Sequence, residues 1–244
     1  MNDDPVQVIL EKEPSSKSPL LIEGFPGIGL VGNIASQYMV HELKMTYLGA
    51  MHSRFFPPLA VLLGGVVNMP VRIYEKEDMG LIVITSDIPI HPLASYDVGR
   101  EIVRWANSIN VRELVCMAGI TLMTEQRRVF GSVSNPEILD RIRGSTEIFE
   151  LGTIAGISGS IMNECRIKSL PAVCLLGETL SEEPDPRSAA ATIEALNKIY
   201  GLDISTSKLM ERASEIELQM HQLAEQVKST AQEEVPGKEF PMYG

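Results

Sequence analysis

Gly27, Gly29 and Gly32 stand at the spacing G-x-G-x-x-G, directly after the apolar run Pro19-Leu20-Leu21-Ile22 and just ahead of a helical pattern. Glycines so placed can bring backbone N–H groups to a pyrophosphate at a helix N-terminus. A dinucleotide site also needs an acidic residue about 20 positions further on, at the end of the second strand, to take the ribose hydroxyls. Here that strand runs into Met51-His52-Ser53-Arg54. Pro26 removes one N–H donor beside the first glycine, and no Gly-Lys-Ser/Thr follows to make a P-loop. Gly24, Gly27, Gly29 and Gly32 therefore read as a structural corner that turns a strand sharply into a helix packed close to the sheet. A phosphate or nucleoside held on the turn is the competing reading.

Other chemistry is sparse. Asp87 and His91 lie in the Pro-rich stretch Ser86-Asp87-Ile88-Pro89-Ile90-His91-Pro92, just past a strand, and read as a hydrogen-bonded loop and a helix cap. Glu178, Glu182, Glu183 and Asp185 cluster ahead of Pro186, where a helix start favours acidic residues. There is no G-x-S-x-G elbow, H-E-x-x-H or paired-cysteine motif. Cys116, Cys165 and Cys174 lie far apart and fit buried apolar positions in a reducing compartment. The expectation is no catalytic residues, no metal and no cofactor.

The elements that must carry these residues alternate. Strands are expected at Val6–Leu10 (an edge), Leu20–Glu23, Met45–Met51, Ala60–Leu63, Glu113–Ala118, Arg128–Ser132 and Ala172–Leu176. Val71–Tyr74 and Leu81–Thr85 flank a polar turn and predict a hairpin. Helical periodicity covers Ile28–Leu43, Leu93–Ile109, Ile154–Cys165 and Pro186–Tyr200, with a short helix opening at Ser134-Asn135-Pro136 and Gly201 as a stop. This predicts a three-layer α/β/α domain over residues 1–201, with a mixed, mostly parallel sheet.

The chain of 244 residues carries a formal charge of −11. That charge argues against nucleic acid, which is held by Lys and Arg on phosphates, and against an anionic membrane surface. No apolar run approaches the length of a membrane span. The acidic start Met1-Asn2-Asp3-Asp4-Pro5 is unlike a secretory signal, so the expected location is the cytoplasm.

Beyond residue 201 the pattern changes. Leu209, Ala213, Ile216, Met220, Leu223 and Val227 alternate at spacings of four and three, a seven-residue period within a C-terminal helix expected over 202–229. A helix of about 25 residues extends roughly 37 Å. Its apolar seam must be buried on its own domain or against a second copy. Residues 230–244 are expected to form a polar tether containing a Pro-Gly break and ending Phe240-Pro241-Met242-Tyr243-Gly244.

Gly24-Phe25-Pro26-Gly27-Ile28-Gly29-Leu30-Val31-Gly32, together with Phe56-Pro57-Pro58, Gly119-Ile120 and Pro184-Asp185-Pro186, resembles the archaeal relatives of the second eukaryotic proteasome assembly chaperone. The resemblance covers most of residues 8–205. It implies a phosphorylase-like α/β/α fold and a homo-oligomer. The family is sometimes labelled an ATP-grasp group, but the lysine and carboxylate arrangement for such chemistry is missing here. The resemblance also implies a role for Met242-Tyr243-Gly244, which match the hydrophobic–tyrosine–any ending of proteasome activators. Such tails enter pockets between neighbouring α-subunits of the core particle. The Gly244 carboxylate would pair with a pocket lysine, the Tyr243 ring would fill an apolar slot, and Met242 would add adaptable contact.

Overall fold

The computed structural model describes residues 5–122, 126–215, 218, 219 and 222. The first half of the chain forms β1 (Val6–Leu10), β2 (Leu20–Gly24), α1 (Val31–Glu42), β3 (Thr46–Ser53), β4 (Val61–Leu63), β5 (Val66–Asn68), β6 (Val71–Lys76), β7 (Leu81–Ser86) and α2 (Pro92–Ser108). The second half forms β8 (Glu113–Thr121), β9 (Val129–Val133), α3 (Leu139–Arg143), β10 (Glu147–Ile148), α4 (Gly156–Lys168), β11 (Ala172–Thr179), α5 (Pro186–Tyr200) and α6 (Ser207–Glu211).

Nine strands make one sheet in the order β1-β3-β6-β7-β2-β8-β11-β9-β10. Its centre, β7-β2-β8-β11, is parallel. The flanking pairs β1–β3, β3–β6, β6–β7 and β9–β11 are antiparallel. The expected edge strand and the expected hairpin are β1 and β6–β7. The sheet is mixed because the β6–β7 connection is too short for a crossover, whereas β8 and β11 are each reached through longer segments that include a helix.

Central strands are apolar on both faces, as burial between two helical layers requires. Leu21, Ile82, Ile84, Leu114, Cys116 and Cys174 point into one core, closed by Val98, Ile102 and Trp105 of α2 and Ile157, Ile161 and Cys165 of α4. Their alternates Leu20, Ile22, Leu81, Val83, Val115, Met117, Val173 and Leu175 point into the other, closed by α1 and α5. This is the three-layer α/β/α arrangement.

The departures are local. The first helix is expected from Ile28, but a 3-10 turn occupies Ile28–Leu30 and α1 begins at Val31, because Gly29 (φ 61°) and Leu30 (φ 48°) adopt left-handed backbone. Only the first strand of β4–β5 is expected. The second follows because Gly64 (φ 58°) and Gly65 (φ 82°) supply the two positive φ values of a tight hairpin turn. The two-residue strand β10 carries no periodic signal of its own.

Candidate functional site

Parallel strands β2, β7, β8 and β11 all end at one edge of the sheet, where α/β proteins commonly place their sites. The glycine turn leaves β2 there. A Cβ on Gly24 would lie 2.3 Å from the Gly32 carbonyl oxygen and 2.5 Å from Ser36 Cβ, and one on Gly32 would lie 1.9 Å from the Met117 carbonyl oxygen. The turn is also gripped from neighbouring strands, since a Cβ on Gly119 of β8 would meet the Ile28 carbonyl at 2.1 Å. Gly27 differs: its backbone is extended and nothing lies within 4 Å of its Cβ position.

Hydrogen bonding closes the corner on itself. Leu30 N–H donates to the Gly27 carbonyl at 2.9 Å, and Asp185 N–H donates to the Gly29 carbonyl at 2.8 Å. Ser36 Oγ donates to the Gly24 carbonyl at 2.8 Å and sits 2.9 Å from Thr85 Oγ1. Asp185, now beside the turn, caps α5 by accepting from Ser188 N–H at 2.9 Å, and Arg127 Nη1 holds its carboxylate at 2.5 Å. Glu178, wholly buried, accepts from Arg128 Nε at 3.0 Å. Of the acidic cluster, Asp185 thus stands beside the turn, and both Asp185 and Glu178 are held in ion pairs.

Asp87 and His91 separate into two jobs. His91 Nδ1 accepts from Leu93 N–H at 3.2 Å and caps α2. Asp87 takes a two-pronged bond from Arg72, with Nη2 to Oδ1 at 2.9 Å and Nη1 to Oδ2 as the second prong. Arg72 was not singled out by the sequence; an Arg inside an apolar strand run is its only signal.

Glu23, the last side chain of β2 before the turn, is wholly buried. It accepts from Phe25 N–H at 3.0 Å and from Ser158 Oγ at 3.0 Å. Burial pushes its carboxyl up to about 7, although hydrogen bonds from Cys116, Ser158 and Phe25 work the other way. Burial likewise raises the thiols of Cys116 and Cys174, and pushes Cys165 up to about 12. These thiols are inert at neutral pH, because the thiolate is the reactive form. Among the described residues no group of three or more His, Cys, Asp and Glu is placed to hold a metal, and no helix is long and apolar enough to cross a membrane.

The opposite edge of the sheet holds the start of the C-terminal segment. After Gly201 (φ 66°) stops α5, Asn197 clamps the chain through Ile204, donating to its carbonyl at 2.9 Å and accepting its N–H at 3.1 Å. Lys208 Nζ then bonds Glu42, at the far end of α1, at 2.8 Å. Leu209 and Ala213 are each 1% exposed within the single chain. Leu209 belongs to the same buried core as Ile193, Leu196 and Ile204. Those two seam positions are therefore covered by their own domain. Ile216, Met220, Leu223 and Val227, and the terminal Met242, Tyr243 and Gly244, lie outside the described residues.

The sequence profile of the PAC2 family matches residues 21–224. A protein of Methanocaldococcus jannaschii is 32% identical over 241 residues, covering 98% of this chain and 99% of its own. Among solved structures, Pyrococcus furiosus PbaA, described as an archaeal homolog of proteasome-assembly chaperone, superposes with a TM-score of 0.85 at 33% identity, over 93% of this chain and 100% of its own. Pyrococcus furiosus PbaB, described as an archaeal proteasome activator, gives 0.77 at 25% identity, over 91% and 99%. The match spans both cores, the glycine corner and α6, and the chain belongs to the PAC2 family.

Proposed function

We propose that the protein is an ATP-independent proteasome-interacting chaperone or activator of the cytoplasm, a homo-oligomer that docks its C-terminal tails into pockets between core-particle α-subunits. The observation that carries this reading is the likeness over nearly the whole chain to PbaA, and to the proteasome activator PbaB. The self-bonded glycine corner, with Asp185 on its carbonyl side, supports a scaffold rather than a nucleotide-binding turn.

In this mechanism Met242, Tyr243 and Gly244 are the docking group. One such tail binds weakly. Several on one body make each later engagement intramolecular, which raises avidity by about 10² to 10⁴ when the spans match. Bound tails then hold α-subunits together during assembly, or bias the entrance of the finished particle. No step draws on nucleotide hydrolysis.

A pull-down on proteasome core particles with the full chain and with a chain lacking residues 242–244 tests the reading. Loss of binding on truncation, at unchanged oligomer mass, is the expected result. Binding that survives truncation removes the tail from the mechanism, and a full chain that never binds core particles removes the function. ATP, a nucleoside or inorganic phosphate is expected to leave the melting temperature unchanged; a shift would favour a ligand on the Gly24–Gly32 turn.

A further inference from the structure

The β4–β5 hairpin is the least covered apolar element among the described residues. Its strands pair with each other and not with the nine-stranded sheet. Leu62 faces Val67 across the pair, at 67% and 68% exposure, and Leu63 faces Val66, at 47% and 64%. Opposed residues share a face and successive residues alternate faces, so both faces of the ribbon are apolar. Strands built this way are buried on both sides in a finished structure. A two-stranded ribbon alone in water is marginal.

Its edges are also undefended. Folded proteins protect free strand edges with charges, proline or bulges. Here residues 55–71 contain no charged side chain, and Pro57, Pro58 and Pro70 lie outside the paired stretch. The base is fixed: Phe56 and Leu59 pack on the α2–α4 core, while Arg72 and Asp87 clamp the entry to β6. The tip therefore projects from a rooted stem, at the same sheet edge as the glycine turn.

We propose that β4–β5 is the self-association element of this protein, covered in the assembled state by a second copy of the chain. Charge selects the occupant. Each copy carries −11, so two bodies repel over most of their surface, and an uncharged ribbon is where like-charged copies can meet without opposing carboxylates. The element is also complementary to itself, with free edges of one ribbon matching those of another and apolar faces on both. The proposal deepens the oligomer of the reading above and moves its contact away from the helical seam, to the edge opposite the one where α6 sits. C-terminal segments would then start on the side of each body facing away from the contact.

The full-length chain is examined by sedimentation and light scattering, alone and without core particles. The paired variants Leu62→Glu/Val67→Glu and Leu63→Lys/Val66→Lys, one per face, are each expected to weaken association at least 100-fold and give the 26.8 kDa single chain. Loss with both signs of charge separates burial from net repulsion. Fluorescence of Trp105, 5% exposed in the core, checks folding. Should a charged pair fail to fold, Leu62→Thr/Val67→Thr keeps strand-favouring side chains at both positions and is expected to show the same direction. In a Val67→Cys chain, oxidation is expected to link two copies, because the native cysteines are buried.

An unchanged oligomer mass in folded variants overturns the proposal. So does a wild-type chain that stays single at micromolar concentration, or an oligomeric Val67→Cys chain that oxidation fails to link. Deletion of residues 242–244 is expected to leave the mass unchanged, so failure here and failure of tail docking register in different measurements.

Discussion

Gly32 of α1 lies against Met117 of β8 so closely that a Cβ at position 32 would sit 1.9 Å from the Met117 carbonyl oxygen. The contact is backbone to backbone, and a strand carbonyl in a central sheet cannot move aside as a flexible side chain does. The helix must lift from the sheet or the strand must bend. Gly32→Ala is therefore expected to lower stability by at least the roughly 1–3 kcal/mol typical of overpacking, read as a fall in denaturation midpoint. Gly27→Ala meets nothing within 4 Å in an extended backbone and is expected to stay within about 0.5 kcal/mol of wild type. A large loss at Gly27 would point to a task for that residue beyond shaping the corner.

The buried Glu23 makes stability depend on pH in a defined direction. Its carboxyl keeps its proton up to about 7 in the folded chain and releases it near 4.5 when unfolded. Folding takes up a proton between those values, so this group's contribution falls as pH rises from about 4.5 to about 7, by up to roughly 3 kcal/mol, and levels off above. Glu23→Gln removes the titration while keeping an oxygen for Phe25 N–H. The variant's denaturation midpoint relative to wild type is expected to rise across that window. Parallel pH profiles for the two chains would show that Glu23 does not ionise on unfolding.

Much of this architecture is legible in the sequence because burial writes it twice. Leu20 and Ile22 serve one core and Leu21 the other, so β2 reads as one short apolar run bounded by polar segments. Asp185-Pro186 announces α5 through its own capping chemistry. Other features depend on distant partners. Nothing near Gly32 in the chain reports Met117, and Arg72 meets Asp87 only once β6 and β7 pair. The β5 strand had a signal, Gly64-Gly65 between branched residues, but its lack of cover emerges only from the fold. The heptad spacing fits both docking and self-association, and side-chain periodicity cannot say which surface an apolar stripe meets.

Arg72 and Asp87 are a buried pair, with side chains 6% and 16% exposed. Arg72 also donates to Tyr74 Oη at 3.0 Å and to the Met69 carbonyl at 3.1 Å, while Asp87 N–H donates to the Pro70 carbonyl at 2.9 Å. The pair thus ties the chain entering β6 to the chain leaving β7. Arg72→Met strands an unpaired carboxylate and is expected to cost about 3–5 kcal/mol. Arg72→Met/Asp87→Leu removes both charges and is expected to cost less than the sum of the single changes. Additive losses in chemical denaturation would mean that the two side chains stabilise the protein independently.

Leu209 distinguishes a helix docked on its own domain from a helix reserved for a neighbour. At 1% exposure it lies in the same core as Ile193, Leu196 and Ile204, so its side chain is already removed from water before any second copy arrives. Leu209→Ala is expected to lower the stability of the folded chain by about 2–5 kcal/mol, the range for truncating a buried leucine. Oligomer mass at concentrations where the variant stays folded should be unchanged. The reverse pattern, a lost oligomer with an intact denaturation midpoint, would assign Leu209 to a seam between copies. Ala213, equally buried, supplies the check by enlargement: Ala213→Met is expected to destabilise by overpacking against the same body, whereas at an open helical seam the added apolar surface would strengthen association.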